Sequence, residues 1–420
     1  MHPCATTPWA SESEIWQTGL SIERDANKKS GIILGRNPYT RQVMFAHSGE
    51  NVLLVAPSRS GKSIGVVIPT ALFWKDSFFA LDYKGELWSM TAGYRKRYLG
   101  QSVTKFQPLC EDGSAAKWNP LAEIRFGTKA EREDAEVVSG LLITGQDCSN
   151  AQIADNAKSV LAEAILHIYS ERHSVPTLFD VSEFFLSSRR VAVIDKSAVD
   201  GQTAYEVHRL IAQVLAPYRD PRVRKNTMHS DFSIRDLLDP KRRISLYATV
   251  ECEEYSMNWQ LERLLVSMIQ YVIASTVGTS AADNPHILLM LDDFIQLGYL
   301  PYCESSLLHG SSHGVQACLV AQDVSQLNKI YTKDNSIMGN CHVQIYFTPT
   351  NNESMMLLSK KLGMTPDEVS RMSQEKELVF VGGHRPIYGD KIRFYLEPYF
   401  KKRVQTPPPF SDTCVEQPTA

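Results

Sequence analysis

The segment APSRSGKS constrains the fold of this chain more than any other feature. It lies between the apolar runs NVLLV and IGVVIPTALF and comprises Ala56, Pro57, Ser58, Arg59, Ser60, Gly61, Lys62 and Ser63. A strand that turns tightly into a helix in this way directs backbone N–H groups onto an anion at the helix amino terminus. The sequence therefore predicts a phosphate-binding loop, and all residues of the segment are expected to contact nucleotide.

Two side chains of the loop carry the expected chemistry. Lys62 should neutralise the β- and γ-phosphates of ATP, and the Ser63 hydroxyl should ligate Mg²⁺. The first glycine of the usual pattern is replaced by Ala56, which is small enough to fit. The alternative is a chance GKS triplet in an ordinary loop.

Two further apolar strands end in polar residues that suit this chemistry. The run HILLML leads into Asp292 and Asp293, on a strand expected to neighbour the loop. Asp292 would hold Mg²⁺ through water, and Asp293 would orient or deprotonate the attacking water. The run GVQACLVA leads into Gln322, which could sense the γ-phosphate. The alternatives are solvated acids at a strand end and a glutamine that merely begins a helix.

The apolar runs also predict the fold class. Nearly continuous apolar strands indicate burial on both faces, as in the parallel sheet of an α/β domain. The predicted strands are Val52–Ala56, Phe78–Asp82, Ile244–Val250, Ile287–Leu291, Val315–Ala321 and Val343–Phe347. Helices are expected between them, for example over Trp259–Ala274 and Ser354–Leu362. A late antiparallel hairpin is expected from Leu378–Phe380 and Lys391–Tyr395, joined through Gly382-Gly383 and Gly389-Asp390.

One long block interrupts this α/β pattern. Residues 129–239 show helical periodicity at Ala135–Leu142, Val160–Tyr169 and Ala204–Ala216, without a convincing strand. The predicted organisation is an amino-terminal arm (1–28), a nucleotide-binding domain in two parts (29–128 and 240–400), an inserted all-α domain (129–239) and a disordered tail (401–420).

Composition excludes several classes of protein. The 420 residues carry 44 Lys+Arg against 47 Asp+Glu, which excludes a uniformly basic nucleic-acid coat. No apolar run is long enough to span a membrane, and the first residues do not form a signal peptide. The cysteines include no CxxC pair, as is typical of the reducing cytoplasm. Basic clusters at 95–97, 219–225 and 241–243 could grip single-stranded DNA beside Tyr94, Tyr98 and Tyr218, or could be solvated faces.

In combination, the motifs resemble those of the TraG/VirD-type coupling proteins of type IV secretion and conjugation, which are related to FtsK/HerA-type motors. The resemblance covers about Gly31 to Phe400. It is carried by these stretches in order: GRNPYTRQ, NVLLVAPSRSGKSIGVVIPTAL, LDYKGELWSMTAGYRKR, KWNPLAEI, SDFSIRDLLDP, ISLYATV, LLMLDDFIQLGYLP, HGVQACLVAQDVSQLNKIY and QIYFTPTNNESMMLLSKKLG.

This resemblance implies a RecA-like P-loop domain with an inserted all-α domain, and an ATPase that needs ATP and Mg²⁺. It implies a homo-hexamer with an arginine finger, for which Arg263 is a guess, and cargo of single-stranded DNA, relaxase or effector. The expected location is the cytoplasmic face of the bacterial inner membrane, beside the secretion channel, although the family's usual membrane anchor is missing. The alternatives are a cytosolic DNA pump or helicase, and a nucleotide-gated receptor platform with little turnover.

Two departures from the family bear on catalysis. The family usually has Asp-Pro-Lys-Gly-Glu where this chain has DYKGE at 82–86, so its acids and lysine are still expected near the nucleotide. The family's strand-end pair is usually Asp-Glu, whereas Asp293 is shorter by one methylene. Slow basal hydrolysis is therefore expected, with Glu86 as the next candidate for the base.

Overall fold

A mixed β-sheet organises the part of the chain that the computed structural model describes, which is residues 8–22, 30–47, 49–145, 147–187, 201–249, 255–275 and 286–409. The sheet contains 12 strands in the order β1-β3-β2-β12-β11-β10-β4-β9-β8-β5-β7-β6. The strands are β1 Ser21–Ile22, β2 Ile32–Arg36, β3 Val43–Ala46, β4 Val52–Val55, β5 Ser77–Asp82, β6 Ser102–Phe106, β7 Ile244–Thr249, β8 Ile287–Leu291, β9 Val315–Ala321, β10 Val343–Phe347, β11 Lys376–Val381 and β12 Ile387–Asp390.

The seven strands from β10 to β6 run parallel, and the five from β11 to β1 pair antiparallel. Every residue of β4, β5, β8 and β9 is buried. Alternate residues of β4 belong to two different hydrophobic clusters, so both faces of the sheet are covered. The predicted α/β class and mostly parallel sheet are confirmed. Val250, at the end of one predicted strand, lies outside the described residues.

Helices flank the sheet and connect its parallel strands. They are α1 Glu12–Gln17, α2 Ile68–Phe73, α3 Glu86–Leu99, α4 Glu131–Leu142, α5 Ala151–Arg172, α6 Leu178–Leu186, α7 Gly201–Leu215, α8 Pro221–Asn226, α9 Ile234–Leu237, α10 Tyr255–Ser275, α11 Cys303–Gly310, α12 Val324–Tyr331, α13 Ile337–Asn340, α14 Asn352–Leu362, α15 Pro366–Ser370 and α16 Pro398–Arg403. A π-helical turn, Ser63–Val67, leads into α2, and short 3₁₀ turns lie at Pro120–Glu123, Ala216–Arg219, Phe294–Leu297, Ser311–His313 and Phe394–Leu396.

The described residues between β6 and β7 form helices and no strand, as predicted for the inserted block. These helices belong to the same hydrophobic cluster as one face of the sheet: Leu161 and Ile211 join Phe106 and Leu246 in it. Because the apolar interior is continuous, the existence of a separate inserted domain with the predicted boundaries stays a prediction.

The late hairpin forms, but its second strand differs from the prediction. β11 pairs with Ile387–Asp390 rather than with Lys391–Tyr395, with Val379 opposite Ile387. The turn at Gly382-Gly383 is short, and the His384 N–H donates to the Val381 carbonyl at 3.0 Å, so pairing begins soon after the turn. The chain leaves the sheet after Asp390 and reaches a 3₁₀ turn at Phe394–Leu396.

The two ends of the described chain lie on the body. In the predicted amino-terminal arm, the Ala10 N–H donates to the Pro386 carbonyl at 2.8 Å and Trp9 stacks on Tyr388. The predicted tail is ordered over 401–409: α16 ends at Arg403, and the backbone of Pro407 packs so closely on Gly93 that a side chain there would collide with it. The prediction of disorder from residue 401 is therefore wrong for this stretch, and residues 410–420 lie outside the described part.

Candidate nucleotide-binding site

The predicted phosphate-binding loop connects β4 to the helical turn at Ser63–Val67. Arg59 (φ 61°) and Gly61 (φ 92°) both adopt left-handed backbone conformations, which curl the loop back on itself. The Ser60 N–H donates to the Pro57 carbonyl at 3.2 Å, and the Gly65 N–H donates to the Gly61 carbonyl at 2.8 Å. The helix thus begins at the loop, with its amino terminus directed at the site as the sequence predicts.

Lys62 is shared between the two acids at the end of β8. Its ammonium donates to Asp293 Oδ1 and lies 3.5 Å from Asp292 Oδ1. The lysine side chain is largely buried, with 11% of its surface exposed. The structure therefore brings three of the four predicted catalytic residues into direct contact across the mouth of the loop.

Asp292 has the surroundings of a metal ligand. Burial raises its pKa to about 6; the Lys62 ammonium opposes this, and the charges of Asp293 and Asp82 add to it. Its Oδ1 is buried and accepts no hydrogen bond from the described residues. A buried carboxylate oxygen whose Lys62 neighbour is as far as 3.5 Å, in a cleft that Ser63 also lines, fits a hard divalent cation such as Mg²⁺.

Asp82 is a second buried acid at this edge. β5 and β8 are parallel neighbours with Leu81 opposite Leu291, so Asp82 and Asp292 leave the sheet side by side. Burial raises the pKa of Asp82 to about 6, although the Trp88 N–H donates to its Oδ2 at 2.8 Å. Asp82, Lys84 and Glu86 line one cleft with Lys62, Ser63, Asp292 and Asp293. This arrangement agrees with the expectation that DYKGE lies near the nucleotide.

Asp293 has an unusual backbone conformation. Its φ of 48° and ψ of 37° are left-handed, a region that aspartate tolerates better than most residues. The 3₁₀ turn Phe294–Leu297 follows directly. The backbone therefore leaves the direction of β8 at Asp293, and the carboxylates of Asp292 and Asp293 both face Lys62.

Gln322 reaches the loop from the strand between the two motifs. β9 lies between β4 and β8, so the acids are one strand further away than expected. Ser58 Oγ donates to Gln322 Oε1 at 3.1 Å, which joins the third strand end to the loop. Gln322 also borders a cleft of about 600 Å³ with Arg263, Gln296 and Gln326.

The structure contradicts the guess that Arg263 is a finger offered to a neighbouring subunit. Its side chain is buried, with a guanidinium nitrogen 3.4 Å from Asp147 Oδ2 and the same nitrogen 3.4 Å from the Leu142 carbonyl. α10 turns this residue inward because it stands among the apolar positions that pack on the body. Only 9% of the side chain is exposed, and it borders the Gln322 cleft of its own chain rather than projecting from the surface.

Two of the residues considered for DNA binding, Arg95 and Tyr218, are buried in their own chain. Arg95 is fully buried and donates to the carbonyls of Ala71 and Trp74 at 2.6 and 2.7 Å, and Tyr218 is fully buried too. Neither can grip DNA as predicted, because each side chain fills the core. Tyr94 and Tyr98 do form a stacked pair with ring centroids 5.5 Å apart, and Tyr98 is 60% exposed.

One basic residue at the loop was missed. Lys391, just beyond β12, donates from Nζ to the Ser60 carbonyl at 3.3 Å. No local sequence pattern predicts this contact, because the hairpin that carries Lys391 is far from the loop in the sequence. Only the pairing of β11 with β10, and of β10 with β4, brings it to the loop.

The comparison with known proteins decides the family. The model of the family "Type IV secretory system Conjugative DNA transfer" matches residues 8–184, 196–365 and 364–416. The chain belongs to this family. Family members similar to it include the conjugal transfer protein TraG of Escherichia coli, 29% identical over 98% of this chain and 80% of that protein. VirD4 of Agrobacterium fabrum is 26% identical over 93% of this chain and 66% of its own length.

Solved structures show the same fold. The conjugative coupling protein TrwBdeltaN70, in complex with sulphate, superposes with a TM-score of 0.68 and 15% identity over 84% of this chain and 88% of its own. TrwB with ADP and Mg²⁺ gives 0.67 with 14% identity over 82% and 85% of the two chains, and VirB4 of Thermoanaerobacter pseudethanolicus gives 0.61 with 11% identity over 89% and 98%. This likeness supports the RecA-like α/β domain expected for the family. Within the described ranges, no helix has the length and apolar character to cross a membrane.

Proposed function

We propose that this coupling protein binds and hydrolyses Mg·ATP at the loop and uses the energy to drive DNA–protein or protein substrates into a type IV secretion or conjugation channel. The observation that carries the proposal is the position of Lys62 between Asp292 and Asp293 at the mouth of a strand–loop–helix element. The solved TrwB complexes with ADP and Mg²⁺ and with a non-hydrolysable ATP analogue support it.

Ser63 and Asp292 would hold the Mg²⁺ ion, Ser63 through its hydroxyl and Asp292 through water. The buried Oδ1 of Asp292 supports this assignment, since it accepts no hydrogen bond from the described residues and lies 3.5 Å from the Lys62 ammonium. When bound, Mg²⁺ neutralises charge on the β- and γ-phosphates. The residues 56–63 would enclose the phosphates, and Lys62 would exchange its carboxylate partners for phosphate oxygens.

Asp293 would orient or deprotonate the attacking water, and Gln322 would sense whether the γ-phosphate is present. Asp293 already contacts Lys62, so it lies beside the position expected for phosphate. Gln322 accepts from Ser58 of the loop, so a change in the loop would reach β9 directly. These roles give each predicted catalytic residue a distinct task.

The working form proposed here is a homo-hexamer on the cytoplasmic face of the bacterial inner membrane, beside the channel components. Its cargo would be single-stranded DNA or a relaxase or effector protein. Membership of the family and the similarity to TraG and VirD4 support this setting. The helical region between β6 and β7 would contact the cargo, since the nucleotide motifs all lie outside it.

ATP hydrolysis with and without single-stranded DNA tests the proposal. The parent should hydrolyse ATP, and DNA should stimulate it; Lys62→Ala should lose nucleotide binding and turnover, because it removes a charge directed at the phosphates. Lys360→Ala is the matched control, since it removes an exposed lysine of α14 that lies outside both the site and the helical region. A Lys62→Ala variant with parental activity would refute the site.

Co-purification separates the remaining alternatives. Capture of channel ATPases or a relaxase by the tagged chain supports a role in secretion, whereas DNA-stimulated hydrolysis without such partners indicates a cytosolic DNA pump. Tight nucleotide binding without turnover under either condition indicates a receptor platform.

A further inference from the structure

Lys391 lies against the outer side of the phosphate-binding loop. Its Nζ donates to the backbone carbonyl of Ser60 at 3.3 Å and lies 3.7 Å from the centroid of the Phe347 ring. The carbonyl of the next residue, Ile392, is 3.1 Å from the position that a Cβ on Gly65 would occupy. The segment after β12 therefore packs on both the loop and the helical turn that follows it.

Given the proposed nucleotide site, on which this inference rests, we propose that Lys391 is a positioning residue that increases the affinity of the loop for phosphate through the Ser60–Gly61 peptide. The Ser60 carbonyl and the Gly61 N–H belong to one planar, conjugated group. A cation at the carbonyl oxygen polarises that group and makes its N–H a stronger donor, because hydrogen bonds in a chain reinforce one another. Loop N–H groups are what bind phosphate in such a site.

The charges around Lys391 leave its own charge available to the loop. Glu375, across the hairpin, favours its protonated form, and Arg393 opposes it. Glu377 is fully buried, both its carboxylate oxygens lack a hydrogen-bond partner, and burial raises its pKa well above the usual range. Burial therefore favours the neutral form of Glu377, in which the carboxyl does not cancel the ammonium of Lys391.

The test measures the dissociation constant for Mg·ADP at pH 7.5 in four folded proteins: the parent, Lys391→Met, Lys391→Arg and Lys376→Met. Lys391→Met keeps the aliphatic stem and removes the charge and donor, so affinity should fall about three- to tenfold, the range of one hydrogen bond. Lys391→Arg should restore most of it. Lys376→Met is the matched control, since Lys376 is on the same hairpin but pairs with Asp390 at 2.6 Å.

A pH profile distinguishes this role from simple packing. Burial lowers the pKa of Lys391 to about 8 in the free protein. Anion binding favours the protonated lysine, so the parent's affinity should be constant between about pH 7 and 8 and should fall as the pH rises through about 8. In Lys391→Met the affinity should be weaker and flat over the same range.

Several outcomes would overturn the inference. Parental affinity in folded Lys391→Met, or a fall above pH 8 that survives in that variant, assigns the effect to another group. If Lys391→Met does not fold, Lys391→Gln replaces it, and parental affinity there is equally decisive. Lys62→Ala separates the two proposals: if it loses binding while Lys391→Met does not, only this inference fails.

Discussion

Lys62 and its two acids show how single residues set up the site. Two carboxylates beside one ammonium leave excess negative charge, and burial makes that charge costly unless a cation joins it. Asp292 and Asp82 respond with pKa values raised to about 6. A site of this composition suits Mg²⁺ and phosphate together, since the metal compensates the acids and the lysine compensates the phosphate.

The length of Asp293 should control the rate of hydrolysis. Asp293→Glu extends the carboxylate by one methylene toward the water expected in line with the γ-phosphate, so basal turnover should rise and depend less on a partner. A misplacement of about 1 Å can cost roughly 10²-fold in rate. Asp293→Asn should retain nucleotide and lose turnover. Steady-state ATPase assays with nucleotide titrations measure both; a slower Glu variant with a fully active Asn variant would shift the base to Glu86.

Metal binding should fail in mild acid. Asp292 and Asp82 have folded-state pKa values raised to about 6, so both are protonated as the pH falls through 6. Mg²⁺ requires the ionised carboxylate and should bind progressively more weakly from about pH 6.5 to 5. Asp82→Asn should lower the pH at which this loss occurs, because it removes a negative charge that raises the pKa of Asp292. Titration of Mg²⁺ into the ADP complex at several pH values measures this; an unchanged midpoint would show that Asp82 does not act on Asp292.

Ionisation of Asp82 should also lower the stability of the metal-free protein. A carboxyl whose folded pKa is above its unfolded value destabilises the metal-free protein once it ionises. Asp82→Asn should therefore raise the melting temperature of the metal-free protein above pH 6 and have little effect at pH 4. The amide oxygen can still accept from the Trp88 N–H, so the helix start is preserved. Melting curves at the two pH values check it, and equal effects at both would contradict the assignment.

At the scale of elements, the site is assembled from the carboxyl ends of parallel strands. β4 supplies the loop, β9 supplies Gln322, and β8 and β5 supply the acids. The antiparallel hairpin β11–β12 then brings Lys391 to the loop, where its Nζ donates to the Ser60 carbonyl. The last described segment, residues 404–409, closes over α3 because Gly93 has no side chain.

Alanine substitutions at two helical glycines, Gly93 and Gly140, test whether residues 404–409 pack on α3. Gly93→Ala would place a Cβ against the backbone of Pro407 and should destabilise the fold by about 1–3 kcal/mol. Gly140→Ala in α4 meets nothing within 4 Å and should stabilise it by about 0.5–1 kcal/mol through helix propensity. Denaturant unfolding measures both; equal stabilisation by the two would show that 404–409 does not pack on α3 in solution.

At the scale of the whole molecule, two hydrophobic clusters cover the faces of the sheet. One of them extends without a break into the helices between β6 and β7. Removal of residues 129–239 would therefore expose core side chains such as Phe106 and Leu246. Cargo binding by this region is better examined with surface substitutions, for example at Tyr205, which is 63% exposed.

Assembly should depend on ligands. RecA-like motors complete their sites with an arginine from a neighbouring subunit, and Arg263 cannot serve because it is buried in its own chain. We expect a hexamer to form with ATP analogue and single-stranded DNA, and smaller species without them. Native mass measurement under the two conditions tests this, and a monomer with full activity would refute the ring.

The sequence by itself determined the parts that depend on local pattern. Continuous apolar runs identified six of the parallel strands, and the glycine, lysine and serine of the loop predicted its chemistry. β6, at the edge of the sheet, was missed because SVTKF has only two apolar residues and no continuous apolar run. The strand order, with β9 between the loop and the acids, was decided only by tertiary structure. So were the inward turn of Arg263 and the approach of Lys391 to Ser60, because pairings between distant strands and the packing of one helix face leave no periodic trace in the chain.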